Sequence, residues 1–383
     1  MKELRQKIVQ EIRERGPIPF SRYMEMCLYD AEYGYYSRNA SQFGKAGDFY
    51  TSSDVHAVFG RLMARQFEEM WRVLGSPEQI FVKELGPGRG LFAQDVLDWS
   101  EKKFPDFFRA LRYVLIESSP ALRTRIQATL GRHLRMGKAE LAAEELRLPA
   151  GEARDGALHG SPSIVFANEF FDALPIEVLS PEGSLRIGIE NDRFVETWAA
   201  ASPDELEFLD RYSVHLEEGE RVEVSLAAQG CAQQVSLEIG QGFFIAIDYG
   251  YTREEQLAGR HRGTVKAIRQ HSVSANPYEA PGEQDITADV NFTSLAAAAE
   301  KCGMHAEKLI TQSQFLMGIG EANQFADAFE DCRLPQERAK VALQLKHLVT
   351  PAGMGESFHV LMASKGVERE KVAKLSGLGF GRR

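Results

Sequence analysis

Three glycines at alternate positions, Gly86, Gly88 and Gly90, follow an apolar run of Ile80, Phe81 and Val82 and an acid, Glu84. Glycine has no Cβ, so a chain carrying it at these positions can bend sharply and let a ligand come close to the backbone. Leu91, Phe92, Val96, Leu97 and Trp99 then recur at helical spacing. The stretch reads as strand, turn and helix, and the helix start offers free N–H groups to polar ligand atoms. A second acid, Glu117, ends the apolar run RYVLIE. At the end of the second strand of a doubly wound sheet, such a carboxylate can accept both hydroxyls of a ribose. A third group, Asn168, Glu169 and Asp172, interrupts the phenylalanine-rich stretch SIVFANEFFD. Unpaired polar groups in so apolar a setting cost about 1–3 kcal/mol each, so they are expected to face a cavity.

The glycine spacing bears on the ligand. A dinucleotide fingerprint, G-x-G-x-x-G, puts its third glycine three residues after its second, whereas here the pattern is E-x-G-x-G-x-G. It resembles the pattern of methyltransferases that use S-adenosyl-L-methionine, a ligand with no pyrophosphate and with an ammonium that nearby oxygens can bind. Glu84, Gly86, Gly88, Gly90, Glu117 and Asn168 are the expected cofactor residues of this core. Two other readings stay open on these residues alone. One is a turn with no ligand. The other is a nicotinamide-dinucleotide dehydrogenase, which requires the glycine spacing to be tolerated and Glu117 to serve an adenosine ribose.

The elements that must position these groups can be read along the chain. Leu4, Ile8 and Ile12 form a helical stripe stopped by Gly16 and Pro17, and an apolar patch over residues 20–29 leads into YDAEYGYYSR. Residues 44–54, GKAGDFYTSSD, read as a polar loop, either a lid over the cofactor that brings Asp48, Thr51 and Ser52 to it or a surface turn. Val55, Phe59, Leu62, Met63, Phe67, Met70 and Trp71 then form one helical face. Residues 1–75 are therefore expected to form an N-terminal helical extension. Residues 76–180 and 241–365 are expected to form an α/β core with a mainly parallel, Rossmann-like sheet. Residues 181–240, with short β-like runs and turns, read as an α+β insertion over the ligand-binding edge, and 366–383 as a mobile basic tail. FFIAIDYG resumes the sheet and ends at Asp248 and Tyr249. The polar segment 251–289, with His261, His271 and PGEQDITADV, is longer than an ordinary connection and reads as a functional loop.

The composition sets broader bounds. With 383 residues, 44% hydrophobic and 26% charged, the chain is long enough for a sizeable core. A net charge of -10 and a pI near 5.5 argue against a general nucleic-acid binder and permit a basic protein partner. Four widely spaced cysteines suggest reduced thiols, with no zinc site or other metal site. No segment has the length and apolarity of a membrane span or the pattern of a signal peptide, so a cytoplasmic protein is expected.

GDFYTSSD, ELGPGRG, YVLIESSPALR, NEFFDALP, IDYGY and PGEQDITADVNF, in this order, resemble the MidA family. These are S-adenosylmethionine-dependent methyltransferases whose mitochondrial members assist assembly of respiratory complex I. The resemblance covers most of the chain and is weak in the insertion and at the extreme C-terminus. It implies a class I methyltransferase fold and methyl transfer to a protein arginine, with symmetric ω-N dimethylation of a complex I subunit by the mitochondrial member. It also implies that Gly86, Gly88, Gly90 and Glu117 hold the cofactor, that residues 47–53 lie over it, and that NEFFDALP is at the methyl acceptor. Where the family more often has a Pro-Glu pair, this chain has Ser53-Asp54-Val55.

For an arginine acceptor, the guanidinium stays protonated and presents five donors in a plane. Paired carboxylates grip such a group bidentately, and Glu169 and Asp172 are the expected pair. His271 or Asp248 is the expected acceptor of the released proton, with a loop histidine bonded to backbone the plainer reading of His271. A methyltransferase for a small molecule or another side chain, and a cofactor-binding assembly protein with little catalysis, stay open. So do the identity of the acceptor and the oligomeric state.

Overall fold

The apolar run at Ile80 becomes the central strand of a nine-stranded sheet because helices cover both of its faces, and every residue of Ile80–Leu85 is buried. The computed structural model describes residues 2–38, 57–142, 161–269, 272–274, 276–351 and 353–380. Ile80–Leu85 pairs in parallel with Leu111–Ile116, which pairs in parallel with Ala139–Leu141. On its other side come Ser163–Asn168 and then Gly242–Tyr251, both parallel. Phe358–Lys365 runs antiparallel to Gly242–Tyr251, and the short strands His305–Ala306 and Ile310–Thr311 pair with its far edge. The chain thus builds outward from Ile80–Leu85 in one direction and then returns to build in the other. That reversal puts a crevice at the carboxyl ends of Ile80–Leu85 and Ser163–Asn168, where sheets of this kind take ligands.

One face of the sheet is covered by the helices Ala57–Val73 and Leu91–Lys103. Phe67 and Phe92 meet Phe166 there, the Phe92 and Phe166 rings stacking at 4.7 Å, and Phe59 packs on Phe92. The other face carries the helices Leu226–Glu238 and Phe292–Lys301, whose Ala228, Cys231, Val235, Leu295 and Ala299 pack on Phe244 and Ala246. Leu226–Glu238 is therefore a core crossover helix, and the expected insertion boundary at residue 240 is corrected to lie before it. Its alanine- and glutamine-rich sequence lacks the contrast between faces that marks a surface helix.

A second sheet, five-stranded and antiparallel, is formed by Ile18–Pro19, Glu177–Ser180, Gly183–Glu190, Arg193–Ala199 and Val222–Val224. The first stretch of the chain belongs to it. Ile18 pairs with Ile187, and Leu4, Ile8, Phe20 and Tyr23 share a core with Val178, Leu185 and Ile187. The expected N-terminal extension therefore divides, residues 2–38 joining the insertion and Ala57–Val73 joining the main sheet. Within 251–289 a third sheet, Lys266–Arg269, Ser272–Ser274 and Asp285–Thr287, replaces the expected loop. The segment after residue 365 is not a mobile tail over its described length. Val372, Leu375 and Leu378 are buried at a three-residue spacing, and the amides of Ser376 and Gly377 donate to Glu69 and Gln66. Among the described residues no helix is long and apolar enough to cross a membrane.

Candidate active site

Each glycine of the turn after Ile80–Leu85 has a left-handed backbone, with φ of 63°, 54° and 77° at Gly86, Gly88 and Gly90, a region that other residues enter only at a cost. The Gly86 amide donates to Ile116 O at 3.1 Å, and a Cβ at Gly86 would lie 2.8 Å from the Phe170 ring. Among the described residues a Cβ at Gly88 would meet nothing within 4 Å, so on their side Gly88 faces open space. Gly90 caps the helix Leu91–Lys103.

Glu117 stands beside this turn, 8% exposed, and accepts the Ser119 amide at 2.8 Å. Burial pushes its carboxyl up to about 7, against the opposing pull of the Ser119, Ser118 and Gly88 amides and of Arg123. Ser119 is placed by a second duty, capping the helix Pro120–Thr129. Glu84 is buried beneath the turn and accepts the Tyr113 hydroxyl at 2.9 Å. Burial pushes it up to about 8, the charge of Glu117 adding to the effect. At the end of the neighbouring strand, Asn168 Nδ2 donates to Glu169 Oε1 at 3.1 Å, while its buried Oδ1 has no hydrogen-bond partner among the described residues. A crevice open over Gly88, a carboxyl beside it and a bare acceptor at Asn168 fit the ribose and the ammonium of an adenosylated amino acid. Asp48, Thr51 and Ser52, with the rest of the expected lid, lie outside the described residues, as does His271.

The acceptor-side turn after Asn168 is built by Asp248. This acid is fully buried in the last part of the adjacent strand, Gly242–Tyr251, and its Oδ2 accepts the amides of Phe170, Phe171 and Asp172 at 3.2, 3.0 and 3.3 Å. Its Oδ1 accepts the Tyr249 amide at 3.0 Å. The expectation that Asp248 takes the reaction's proton is corrected, since both oxygens are committed to backbone. Burial and the nearby charges of Asp172 and Glu169 push its carboxyl well up, while the amides pull the other way. The anchor holds Glu169 at φ 50°, a strained conformation of the kind that persists where the surroundings impose it.

Asp172 is 4% exposed. Its Oδ2 accepts the Tyr249 hydroxyl, and its buried Oδ1 has no hydrogen-bond partner among the described residues. Burial pushes it up to about 6, with the Tyr249 bond pulling down. Sequence reasoning missed Tyr249 and Tyr113 as partners of the acids. The signal available was a tyrosine within or just after each apolar run that carries a site residue, which by itself reads as core. The structure thus brings together Gly86, Gly88, Glu117, Asn168, Glu169 and Asp172 at one end of the sheet, with Glu84 and Asp248 beneath them.

Comparison with known proteins agrees with this geometry. A model of S-adenosyl-L-methionine-dependent methyltransferases matches residues 62–310. The protein arginine methyltransferase NDUFAF7 homolog, mitochondrial, of Drosophila melanogaster is 30% identical, the alignment covering 99% of this chain and 88% of that one. The protein arginine methyltransferase NDUFAF7, mitochondrial, of Danio rerio is 28% identical over 97% of this chain and 90% of its own. A COG1565 superfamily protein of Burkholderia thailandensis, solved bound to S-adenosyl-homocysteine, superposes with a TM-score of 0.81 at 26% identity, covering 98% of this chain and 94% of that one.

Proposed function

The chain belongs to the S-adenosyl-L-methionine-dependent methyltransferase family whose model spans its residues 62–310, and on that premise we propose that it transfers methyl groups to an arginine side chain of a protein. The observation that carries this is Asp172, a deeply buried carboxyl with a bare Oδ1 and no ion pair among the described residues. A buried acid in that condition is costly unless something cationic or hydrogen-bonding completes it. A guanidinium supplies both, with two parallel N–H donors for a carboxylate. The relatives named as protein arginine methyltransferases support the same acceptor.

In this reading Glu169 and Asp172 grip the guanidinium and turn one nitrogen toward the crevice, while the Tyr249 hydroxyl and the Asp248-anchored turn fix the two acids. The Gly86–Gly90 turn, Glu117 and Asn168 hold the cofactor, with Glu84 supporting the turn from below. When bound, the cofactor supplies a methyl group on a sulfonium, open to in-line attack. Holding the two reactants aligned is then most of the protein's task. His271 is the proposed acceptor of the released proton, on the sequence alone. By family resemblance, the proposal extends to symmetric dimethylation and to a respiratory complex I subunit as acceptor. Asp172→Asn and Glu169→Gln test it. The expected result is loss of methyl transfer to protein with S-adenosylhomocysteine binding kept; unchanged methylation in both variants excludes this acceptor site.

A further inference from the structure

Arg123, the last residue of YVLIESSPALR, has no part in this reading, yet it holds the ribose-side acid. It is half-buried on the helix Pro120–Thr129 and reaches back to the sheet. Its Nη1 donates to Glu117 O at 2.9 Å and to Ala142 O at 3.0 Å. Glu117 directly follows the strand Leu111–Ile116, and Ala142 directly follows its parallel partner Ala139–Leu141. One guanidinium therefore ties the carboxyl ends of two neighbouring strands together where the chain leaves the sheet. Carbonyls at such a place lose their ladder partners, and a side-chain donor replaces them.

The brace bears on the carboxyl as well as the backbone. Glu117 Oε1 accepts the Ser119 amide at 2.8 Å, and the Gly88 amide is a further donor to the same carboxyl, so the acid lies against the glycine turn. Burial pushes Glu117 up to about 7, opposed by the Ser119 and Ser118 amides, the Arg123 charge and the Gly88 amide. Two other titratable groups share charge interactions with Glu117. Glu84 lies beneath the turn, raised by burial and then by the charge of Glu117, and Tyr29, on the helix Phe20–Tyr29, is a buried neutral phenol. Neither favours a charged Glu117. Arg123 does.

We propose that Arg123 is a positioning residue of the cofactor site: by tying Glu117 to the neighbouring strand end and setting a fixed positive charge on its backbone side, it keeps this acid an aimed carboxylate for the hydroxyls of a ribose. The inference rests on the placement of the cofactor at Glu117 and the Gly86–Gly90 turn. A carboxylate only accepts, so it can take both hydroxyls, whereas the protonated acid turns one oxygen into a donor. Hydrogen bonds to a charged acceptor are also the stronger ones. Arginine suits the task because its guanidinium stays protonated throughout the working pH range.

The test is calorimetric titration of the full chain with S-adenosylhomocysteine at pH 6.5 and pH 8.5. Arg123→Gln and Arg123→Met both remove the charge, and either carries the test if the other does not fold. Without the cation, ionisation of Glu117 moves to higher pH. Affinity is therefore expected to fall about fivefold below that of the unaltered chain at pH 6.5 and to return within about twofold at pH 8.5. Arg123→Lys keeps the charge and is expected within about twofold at both. A brace of structural value alone gives an equal deficit at the two pH values, and that result overturns the proposal. So does unchanged affinity in the neutral variants, or a deficit at pH 6.5 that Arg123→Lys shares in full. Failure of the cofactor placement is separate, showing as Glu117→Gln binding S-adenosylhomocysteine as tightly as the unaltered chain.

Discussion

Asp248 Oδ2 accepts the backbone amide of Asp172 at 3.3 Å, so an acid within one core strand, one residue past its parallel pairing with the neighbour, holds in place the acid on the turn after that neighbour. With the Phe170 and Phe171 amides on the same oxygen, the turn is fixed from beneath, and Asp172 Oδ1 has no hydrogen-bond partner among the described residues.

Asp248→Asn replaces one acceptor oxygen with an N–H donor facing a backbone amide. A buried group left unpaired costs about 1–3 kcal/mol, so the melting temperature should fall by several degrees. Methyl transfer should fall at least about tenfold, since misplacing a reacting group is costly, while S-adenosylhomocysteine affinity changes little. Calorimetry and a labelled-methyl assay check both halves.

Gly88→Ala and Gly86→Ala separate strain from occupancy. Both glycines have positive φ, which costs alanine about 1–2 kcal/mol, but among the described residues the added Cβ strikes a neighbour, Phe170, at Gly86 and none at Gly88. Gly86→Ala should melt lower than Gly88→Ala. Gly88→Ala should fold and lose about tenfold or more in S-adenosylhomocysteine affinity, because its methyl group enters the space the cofactor takes. Affinity equal to that of the unaltered chain would show that the space over Gly88 is not the cofactor's.

Tyr249→Phe removes the hydroxyl that donates to Asp172 and favours its charged form. The Asp172 carboxyl should then rise further above its ordinary range, and the acidic limb of the activity profile should move to higher pH. A pH–rate profile with an unmoved acidic limb counts against Asp172 as the gripping acid.

The main sheet was legible because its strands are continuous apolar runs ending in marked groups: glycines after Leu85, an acid after Ile116, and Asn-Glu after Ala167. Glu117, Glu169 and Asp172 stand out as candidates for that reason. The role of Asp248 does not stand out, since an acid at a strand end reads alike whether its oxygens face a substrate or four amides. The helix Leu226–Glu238 was hidden because small residues on every side erase the periodic signal. The tail misled through its charge, while Val372, Leu375 and Leu378 supplied the packing. The union of residues 2–38 with the insertion depends on pairing across more than 150 residues, Ile18 with Ile187, which local patterns do not encode.

Burial gives the protein a pH signature. Glu84, Glu117 and Asp172 are raised from 4.5, 4.5 and 3.8 to about 8, 7 and 6, so the folded chain keeps protons that the unfolded chain releases. Their contribution to stability is full below the ordinary carboxyl range and is lost as pH rises through the raised values. His359, lowered by burial, works in the opposite direction around its ordinary 6.5. The ligand-free protein should therefore melt at progressively lower temperature from pH 6.5 to 8, and Glu84→Gln should flatten the upper part of that slope. Melting temperatures rising across this window would contradict the buried, protonated state of these acids.

The central claim is methyl transfer to arginine, and its most direct measurement is the amino acid that carries the label. After incubation of the protein with methyl-labelled S-adenosylmethionine and host proteins, acid hydrolysis and chromatography should return the label as methylated arginine. The Asp172→Asn variant, still binding S-adenosylhomocysteine, should return none. Label in another amino acid or in a small molecule, or methylarginine formed equally by Asp172→Asn, would contradict the account.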